Sequence, residues 1–430
     1  MSPAPIDLPD ARICDQARRS RDARFDGLFF TAVTSTRIYC RPVCPAPTPK
    51  PQNIRYYHSA AAAEAAGFRP CLRCRPELSP GNAEWRRADD HVARALRAIN
   101  QGALQEGGLE AVCARLDIGT RHLRRLFEQT FGASPIAVAT TQRLLFAKQL
   151  LSETRMPMTE VAMASGFGSL RRFNAAFQGA YRMPPSRLRS APVKSADGAL
   201  RLQLSYRPPF EFASALAFLR QRAIVGIETI DNICYRRELA LASTDAWFEV
   251  RQIADANALE VIAHNVTALD LADVVRRIRR MFDLDADPAS VASALGEDAL
   301  FRGRNALRPG LRIACGYDGF EVAVRAVLGQ QISVAATTTF ARRLVARFGT
   351  SRVASDGSCL QQFPTPPQLA DAEFESIGII RSRAEALRGM ARLRMIPIDS
   401  NSASASCGGV GNCCKQLPSL ATREIGRAHV

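Results

Sequence analysis

Two stretches of sequence decide the fold of the first 80 residues, Cys40-Arg41-Pro42-Val43-Cys44 and Cys71-Leu72-Arg73-Cys74. Each holds a close pair of thiols, and residues 45–70 form the loop between the pairs. Two such pairs can arrange four sulfur ligands tetrahedrally around one ion, and thiolates favour zinc over magnesium or calcium. We therefore predict one zinc ion bound by Cys40, Cys44, Cys71 and Cys74. The spacing alone leaves open a purely structural zinc site.

Length and charge limit the wider organisation. A chain of 430 residues exceeds what one hydrophobic core usually organises, so several domains are expected. Thirteen of the sixteen excess positive charges lie in the first 195 residues. A basic half of this kind attracts a phosphate backbone and favours nucleic acid as the partner, although a merely solvated basic surface is the simpler alternative.

The cellular compartment is inferred from the cysteines and the N-terminus. No secretory signal and no long apolar run is found in the sequence. We therefore expect a cytoplasmic protein with no membrane partner. Twelve cysteines in such a compartment favour metal binding or reactive thiols over a disulfide framework.

The residues around the cysteines resemble a known family. Thr36 to Cys44, followed by Gly67 to Cys74, resemble the N-terminal domain of the Ada adaptive-response proteins. The resemblance implies a small α+β zinc domain over residues 1–80, in which Cys40 accepts a methyl group from a DNA methylphosphotriester and the other three cysteines remain ligands. Zinc favours this chemistry because it holds a thiol as the nucleophilic thiolate at neutral pH.

The same resemblance implies further contacts and a signal. It places Thr36 and Arg69 near the DNA backbone, although either side chain could instead pack or cap locally. It also implies that repair becomes a transcriptional signal. We expect His58 to be a surface residue rather than a ligand.

Residues 84–190 have a helical pattern that is repeated. Leu109 to Phe131 predicts helix, turn at Ile118-Gly119, helix, and Met158 to Tyr181 repeats this plan with a turn at Ser165-Gly166-Phe167. In the second helix of each motif one face is apolar, with Leu123, Leu126 and Phe127 in the first and Leu170, Phe173 and Phe177 in the second. The opposite faces carry Arg121, Arg124 and Arg125, and then Arg171, Arg172 and Asn174.

Ala164 to Phe173, then Phe177 and Met183-Pro184-Pro185, resemble the AraC-type DNA-binding domain. The resemblance implies an all-α double helix-turn-helix whose recognition helices enter successive major grooves. We expect Arg121, Arg125, Arg171 and Arg172 to contact DNA, either at base edges or only at the backbone. A solvated arginine face is the alternative.

Residues 191–199 form a short polar linker, where we place a domain boundary. The second half that follows resembles the AlkA-type 3-methyladenine DNA glycosylases. The resemblance rests on Leu202 to Arg207, Pro309 to Arg312, and Gly319 to Val334 with its Leu328-Gly329-Gln330-Gln331-Ile332-Ser333 string. It implies a glycosylase N-terminal α+β domain over residues 200–305 and a partial all-α helix-hairpin-helix glycosylase domain over 306–397. Gln331 lies where the family often has an apolar wedge that enters the duplex, so we expect a weaker DNA contact there. Asp318 and Glu321 are expected to be helix-start residues.

The catalytic end of the glycosylase is not found in the sequence. The helix-hairpin-helix string should follow Ala384 to Arg394, and the catalytic aspartate should come after it. Neither motif is recognised, so we expect no base excision by the chain as written. Residues 398–430 have no packing pattern, and we interpret them as a disordered or artefactual tail that follows a reading frame cut near Pro397.

These expectations combine into one multidomain protein for DNA alkylation repair and its transcriptional response. Its partner is double-stranded DNA, both as methylated backbone and as promoter sites, with RNA polymerase as a further partner. The alternative is a DNA-binding regulator whose zinc is only structural. The P-C-H-R string of an alkylguanine transferase is not found, so repair of O6-methylguanine is not expected.

Overall fold

The computed structural model describes residues 8–81, 90–100, 103–189, 199–241, 245–298, 300–301, 308–353 and 359–395. These residues belong to one compact unit, Met1–Ile396. The predicted tail, most of the linker predicted at residues 191–199 and the start of the helical region near Glu84 lie outside the described residues. Within the described part, no helix is both long and apolar enough to cross a membrane.

Residues 8–81 form a small α+β module. Its sheet has the strand order β3-β1-β2-β4, from β1 (Phe30–Val33), β2 (Ile38–Cys40), β3 (Ile54–Tyr57) and β4 (Arg69–Pro70). Helices α1 (Ala11–Ser20) and α2 (Ala60–Ala65) begin after Asp10 and Ser59, whose side chains accept backbone N–H groups of the first turn. Phe30, Tyr39 and Phe68 form the core with the alanines of α2.

Residues 90–189 form the helical region. Its helices are α3 (Asp90–Asn100), α4 (Ala103–Ala114), α5 (Thr120–Phe131), α6 (Pro135–Glu153), α7 (Met158–Ala164) and α8 (Leu170–Tyr181). Gly107 and Gly108 interrupt α4, and the φ of +67° at Gly108 is a conformation that favours glycine. Helices α4 and α5 form the first predicted motif, and α7 and α8 the second. The long helix α6 joins the two motifs.

The burial of the two motifs mostly follows the predicted faces. Leu123, Leu126, Phe127, Phe173 and Phe177 are buried, but Leu170 is 37% exposed, so its predicted inward position is wrong. Leu170 is the first residue of α8 and precedes the turn of the helix that packs. In the first motif the left-handed turn residue is Asp117, with φ of 55°, and Gly119 is the N-cap of α5.

The second half begins with an antiparallel sheet of order β5-β9-β8-β7-β6. Its strands are β5 (Leu200–Ser205), β6 (Glu228–Ile230), β7 (Cys234–Glu238), β8 (Trp247–Gln252) and β9 (Ala258–His264). Helices α9 (Phe212–Arg220), α10 (Ala268–Met281) and α11 (Pro288–Gly296) accompany it. The α+β organisation predicted for this segment is thus present.

The last described segment is mainly helical, with α12 (Gly319–Leu328), α13 (Val334–Phe348), α14 (Pro366–Ala370) and α15 (Arg381–Met395). A two-stranded antiparallel ribbon, β10 (Thr350–Val353) and β11 (Cys359–Gln362), lies between α13 and α14. Val324, Leu328, Leu344 and Leu387 share one core in this segment. Val324 and Leu328 of α12 therefore pack inward.

The second helix-turn-helix motif and the α+β segment share a single hydrophobic core. One cluster of buried side chains includes Leu150, Phe173 and Phe177 on the helical side and Leu202 and Phe282 on the other. The first motif has a separate core around Leu123 and Phe127. The second motif is therefore packed as part of the following domain.

Buried polar contacts fix the α+β module to α6. The carboxylate of Glu64 in α2 accepts a hydrogen bond from the hydroxyl of Tyr39 at 2.8 Å. It accepts another from the hydroxyl of Thr141 in α6 at 2.6 Å. Lys148 of α6 forms a fully buried ion pair with Glu77 at 2.6 Å. Because an unpaired buried charge costs several kcal/mol, of order 3–5, the two elements are held in one relative position.

Candidate metal centre and DNA-binding surface

The sheet of the first module brings the two cysteine pairs together. Cys40 is the last residue of β2, and Cys71 directly follows β4, which runs parallel to β2 with Tyr39 opposite Pro70. The N–H of Cys71 donates to the carbonyl of Tyr39 at 2.9 Å. A tight turn, closed by the N–H of Cys44 on the carbonyl of Arg41 at 3.2 Å, returns the second cysteine of the first pair to the same place.

The four sulfur atoms fit one tetrahedral zinc ion. All four Sγ atoms lie within 4.8 Å of one another. Sulfurs around zinc at a bond length of about 2.3 Å are separated by about 3.8 Å, so only a small adjustment is needed. Within the described residues this is the only cluster of three or more such side chains that could hold a metal.

Crowding changes the acidity of the thiols. Hydrogen bonds to Cys44, Cys71 and Cys74, together with burial, raise the pKa of Cys40 far above the ordinary thiol value. The hydrogen bond with Cys40 is the main cause that lowers the pKa of Cys44 to about 7. Four negative sulfurs this close repel one another strongly, so the donor set is suited to a soft dication.

Two ion-paired basic residues, Arg41 and Lys148, lie on the inner side of the cluster. The N–H of Arg41 donates to Sγ of Cys74 at 3.3 Å, and the guanidinium of Arg41 donates to the carbonyl of Cys74 at 3.0 Å. Lys148 donates to the carbonyl of Cys71 at 3.3 Å. Arg41 is paired with the buried carboxylate of Asp26. Lys148 is likewise paired with Glu77, so these groups hold the two buried ligands through hydrogen bonds and add no net charge.

The two sides of the cluster differ in exposure. Cys71 and Cys74 are buried, with 5% and 6% of their surface exposed, whereas Cys40 and Cys44 are half-buried. A reactant from solution therefore reaches the first cysteine pair rather than the second.

The predicted backbone-contact residues flank the strand that ends at Cys40. Thr36 is exposed in the turn between β1 and β2, where its hydroxyl lies 3.5 Å from the carbonyl of Val33. Arg69 of β4 is half-buried and lies opposite Ile38. His58 is half-buried rather than on the surface, since it lies against Gly132 at the end of α5, and burial lowers its pKa. It takes no part in the cysteine cluster.

The second helices of the two motifs present arginines to solvent. Arg121, Arg124 and Arg125 are exposed on α5, and Arg171, Arg172 and Asn174 are exposed on α8. The opposite faces of both helices are buried, so the packing of the helices fixes the direction in which the arginine-bearing faces point. Such faces suit phosphate or base contacts.

The residues singled out in the glycosylase-like segment have distinct settings. Gln331 is exposed in the turn before α13 with φ of 57°, a strained conformation for a residue other than glycine. Asp318 caps α12 by accepting the N–H groups of Phe320 and Glu321, as expected. Glu321 does more than start the helix, because it is buried and paired with Arg237 at 2.5 Å and Arg325 at 2.6 Å.

Sequence reasoning missed the residues that hold the module in place. Asp26, Arg41, Glu77, Lys148 and Arg207 contact groups far away in the chain. No local period or motif marks these residues. The one signal that could have identified them is a charged residue at a position that the packing buries.

Known families match successive parts of the chain. The metal binding domain of Ada matches residues 13–77, a helix-turn-helix domain 112–191, the AlkA N-terminal domain 201–318, and the HhH-GPD superfamily base excision DNA repair protein 324–423. The last match extends beyond Pro397, where we predicted the reading frame to be cut. A zinc site, a DNA-binding domain and a glycosylase-like region in one chain define a multidomain DNA repair protein that is also a transcriptional regulator.

A relative matched over most of its length shows the particular family. The chain is 38% identical over 387 residues to the probable bifunctional transcriptional activator/DNA repair enzyme AlkA of Mycobacterium tuberculosis. The matched region is 89% of this chain and 78% of that protein. The chain therefore belongs to the family of these bifunctional transcriptional activators and DNA repair enzymes.

Two further relatives match shorter parts of the chain. The bifunctional transcriptional activator/DNA repair enzyme Ada of Escherichia coli is 36% identical over 149 residues, 35% of this chain and 41% of that protein. The DNA-3-methyladenine glycosylase 2 of Escherichia coli is 33% identical over 195 residues, 43% of this chain and 64% of that protein.

The purified protein should contain one zinc ion per chain. Replacing Cys71 by Ala should remove the ion and unfold the module, because metal binding supplies much of the folding free energy of such small domains. Metal analysis and circular dichroism measure both effects. Cys315→Ala, a thiol outside the cluster, is the control. A zinc content near zero in the wild-type protein would contradict the assignment.

Arg125→Ala and Arg171→Ala should each weaken DNA binding by about 1–3 kcal/mol where a base edge is contacted, and change the preferred sequence. A phosphate contact would instead weaken all sequences alike and flatten the salt dependence. Fluorescence anisotropy with specific and unrelated duplexes at several salt concentrations separates the cases. Arg251→Ala, on the sheet of the second half, is the control. Wild-type affinity of Arg125→Ala and Arg171→Ala would contradict the DNA contacts and leave both arginine faces as merely solvated surfaces.

Proposed function

We propose that the chain repairs methylphosphotriesters in DNA by accepting their methyl group irreversibly on Cys40, and that the methylated protein regulates transcription. The observation that carries this proposal is the asymmetry of the metal centre. Four sulfurs have similar chemistry, but Cys71 and Cys74 are buried and only Cys40 and Cys44 are accessible. Of these two, Cys40 is the position that matches the acceptor of the Ada family.

The proposed reaction is a single displacement. The sulfur of Cys40 forms a bond to the methyl carbon while the bond between that carbon and the phosphotriester oxygen breaks, leaving a phosphodiester anion on the DNA. Zinc held by Cys40, Cys44, Cys71 and Cys74 would keep Cys40 as the thiolate, so no separate base would have to remove a proton. Thr36 and Arg69, which flank β2, are proposed to hold the DNA backbone for this attack. The thioether formed is stable, so each chain acts once.

Methylation changes the charge beside the DNA. A zinc centre with four thiolates carries two net negative charges, and conversion of one thiolate to a thioether leaves one. At about 8 Å from a phosphate and an effective dielectric of about 20, the lost repulsion is roughly 2 kcal/mol before screening by salt, about thirtyfold in affinity. Arg121, Arg125, Arg171 and Arg172 are proposed to supply the DNA contacts that this gain strengthens.

Two further assignments complete the proposal. RNA polymerase is proposed as the partner of the methylated, DNA-bound form, in keeping with the activator function named for the relatives. The competing function is a DNA-binding regulator with a purely structural zinc ion. The buried second pair of cysteines suits both functions, whereas the accessible Cys40 favours the acceptor.

The glycosylase-like segment is proposed to lack base excision in the chain as written, with Gln331 as a weak duplex contact. The helix-hairpin-helix string and the aspartate expected after it are not recognised after Arg394. Incubation with alkylated DNA should therefore release no 3-methyladenine above the uncatalysed rate, as measured by chromatography of free bases. Release in proportion to protein concentration would overturn this assignment.

The deciding experiment follows the mass of the protein. DNA containing methylphosphotriesters should add one methyl group per chain, about 14 Da, to the peptide that contains Cys40, because one S–H becomes S–CH3. Cys40→Ala should abolish the gain, and its zinc content and circular dichroism control for folding, since water can complete the coordination. Cys315→Ala is the matched cysteine control.

Each other outcome has a distinct meaning. A folded, zinc-loaded protein that never gains mass would leave the structural-zinc regulator. A methyl group found on Cys44 would keep the activity and overturn the choice of residue. Transfer should also raise DNA affinity most at low salt, since the gain comes from charge.

A further inference from the structure

A buried arginine of the glycosylase-like half forms hydrogen bonds with the backbone of the metal-binding module. Arg207 lies two residues after the end of β5 and is 0% exposed. Its guanidinium donates to the backbone carbonyls of Asp26 at 2.7 Å, Asp285 at 2.9 Å and Ala286 at 3.2 Å. It also donates to the carbonyls of Pro80 and Gly81. One side chain thus joins two segments of the module to one loop of the second half.

The packing around Arg207 leaves no room for adjustment. Gly27 has a φ of +77°, and a Cβ atom there would lie 2.0 Å from the carbonyl oxygen of Pro80 and 3.1 Å from the guanidinium of Arg207. The N–H of Gly81 donates to the carboxylate of Asp285 at 2.9 Å. Close backbone approach at two glycines, with a fully buried cation between them, is typical of a fixed interface.

This interface continues to the metal centre through Asp26. The carbonyl of Asp26 is bound by Arg207, and the carboxylate of Asp26 is bound by Arg41 at 2.9 Å and 3.1 Å. Arg41 in turn contacts Cys74 through its N–H on Sγ and its guanidinium on the carbonyl. A chain of three contacts therefore leads from the second half of the protein to a metal ligand.

A second chain of contacts reaches the other buried ligand. Glu153 of α6 accepts the N–H of Gln203 of β5 at 3.1 Å and is paired with Arg75 at 2.7 Å. Arg75 is also paired with Glu77 at 3.0 Å, and Glu77 is paired with Lys148. Lys148 donates to the carbonyl of Cys71. Gln149 also donates to the carbonyl of Gln203 at 2.9 Å. Both buried ligands are thus linked to the same sheet.

We infer that the AlkA-type N-terminal domain positions the metal centre for methyl transfer, with Arg207 as a positioning residue that acts through Asp26 and Arg41 on Cys74. The inference rests on the proposed function, since it concerns the rate at which Cys40 accepts its methyl group. It assigns to this domain an intramolecular role in phosphotriester repair that is separate from base excision. Arg207 is fully buried and its guanidinium binds backbone carbonyls, so it acts through other residues rather than on the reacting sulfur.

The test uses the full chain with Arg207→Met, which keeps an apolar stem but removes all five carbonyl contacts. Methyl transfer from phosphotriester DNA should slow by about tenfold to a hundredfold, because small misplacements of reacting groups have effects of that size. The zinc content should stay at one ion per chain. With cobalt in place of zinc, the visible absorption of the variant should shift, because that spectrum reports the geometry of the four sulfurs.

Two variants make the result specific. Arg207→Lys can restore some of the carbonyl contacts, so it should recover part of the rate and of the spectrum; it also serves as the test variant where Arg207→Met does not fold. Arg251→Met, an exposed arginine of the same sheet, should behave as wild type.

The inference is overturned when folded Arg207 variants transfer the methyl group at the wild-type rate with an unchanged cobalt spectrum. The cobalt spectrum needs no methyl transfer, so it separates the two hypotheses. Wild-type protein that gains no methyl group would end the proposed function, while a shifted spectrum in the variant would still support positioning of the ligands by Arg207.

Discussion

Four sulfurs within 4.8 Å cannot all be negative unless a cation lies among them. This constraint explains why the first module is built as it is. Its strands are short, and its core contains mainly Phe30, Tyr39, Phe68 and small alanines. Such a core is too small to stabilise a domain alone, so the metal and the neighbouring elements must contribute. The parallel pairing of β2 with β4 is the part of the fold that brings the two cysteine pairs together.

The neighbouring elements contribute mainly through buried charges. Lys148, Glu77 and Arg207 lie in contacts between segments that are distant in sequence. Removing one partner would leave a charge without water or counter-charge, a cost of several kcal/mol, of order 3–5. Buried polar groups of this kind add less net stability than apolar packing would, but they allow only one arrangement of the segments. The module is therefore docked specifically rather than merely attached.

The sequence predicted what depends on local pattern. The cysteine spacing and the two helix-turn-helix motifs follow from local spacing and periodicity, and the α+β character of the segment that begins at Leu200 follows from the family resemblance. The described residues have all three features. The predicted inward position of Leu170 is wrong because Leu170 is the first residue of its helix and precedes the turn that packs. A spacing of three and four residues does not show where a helix begins. For Glu321 the sequence indicated the start of a helix but not the buried ion pair, because its partner Arg237 lies 84 residues away.

Long-range geometry is what the sequence could not supply. Arg207 has the same local signal as any arginine after a strand, and its role follows only from the meeting of residues 26, 80 and 285. The single core shared by the second motif and the following sheet was likewise unforeseen, because the boundary was placed at a polar linker. Polar linkers mark chain connections, and they do not exclude a common core on both sides.

The fixed frame bears on how a methyl group could act as a signal. A switch that moved the module would have to break the contacts of Lys148, Glu64 and Arg207 at once, at a cost of several kcal/mol for the buried charges alone. The proposed methylation would remove one negative charge at Cys40, a change worth roughly 2 kcal/mol at the DNA. The smaller term cannot drive the larger rearrangement, so the structure favours a signal carried by the electrostatic field of a rigid surface. In such a surface the arginines of α5 and α8 keep their orientation, and only the repulsion between the metal centre and the phosphates changes.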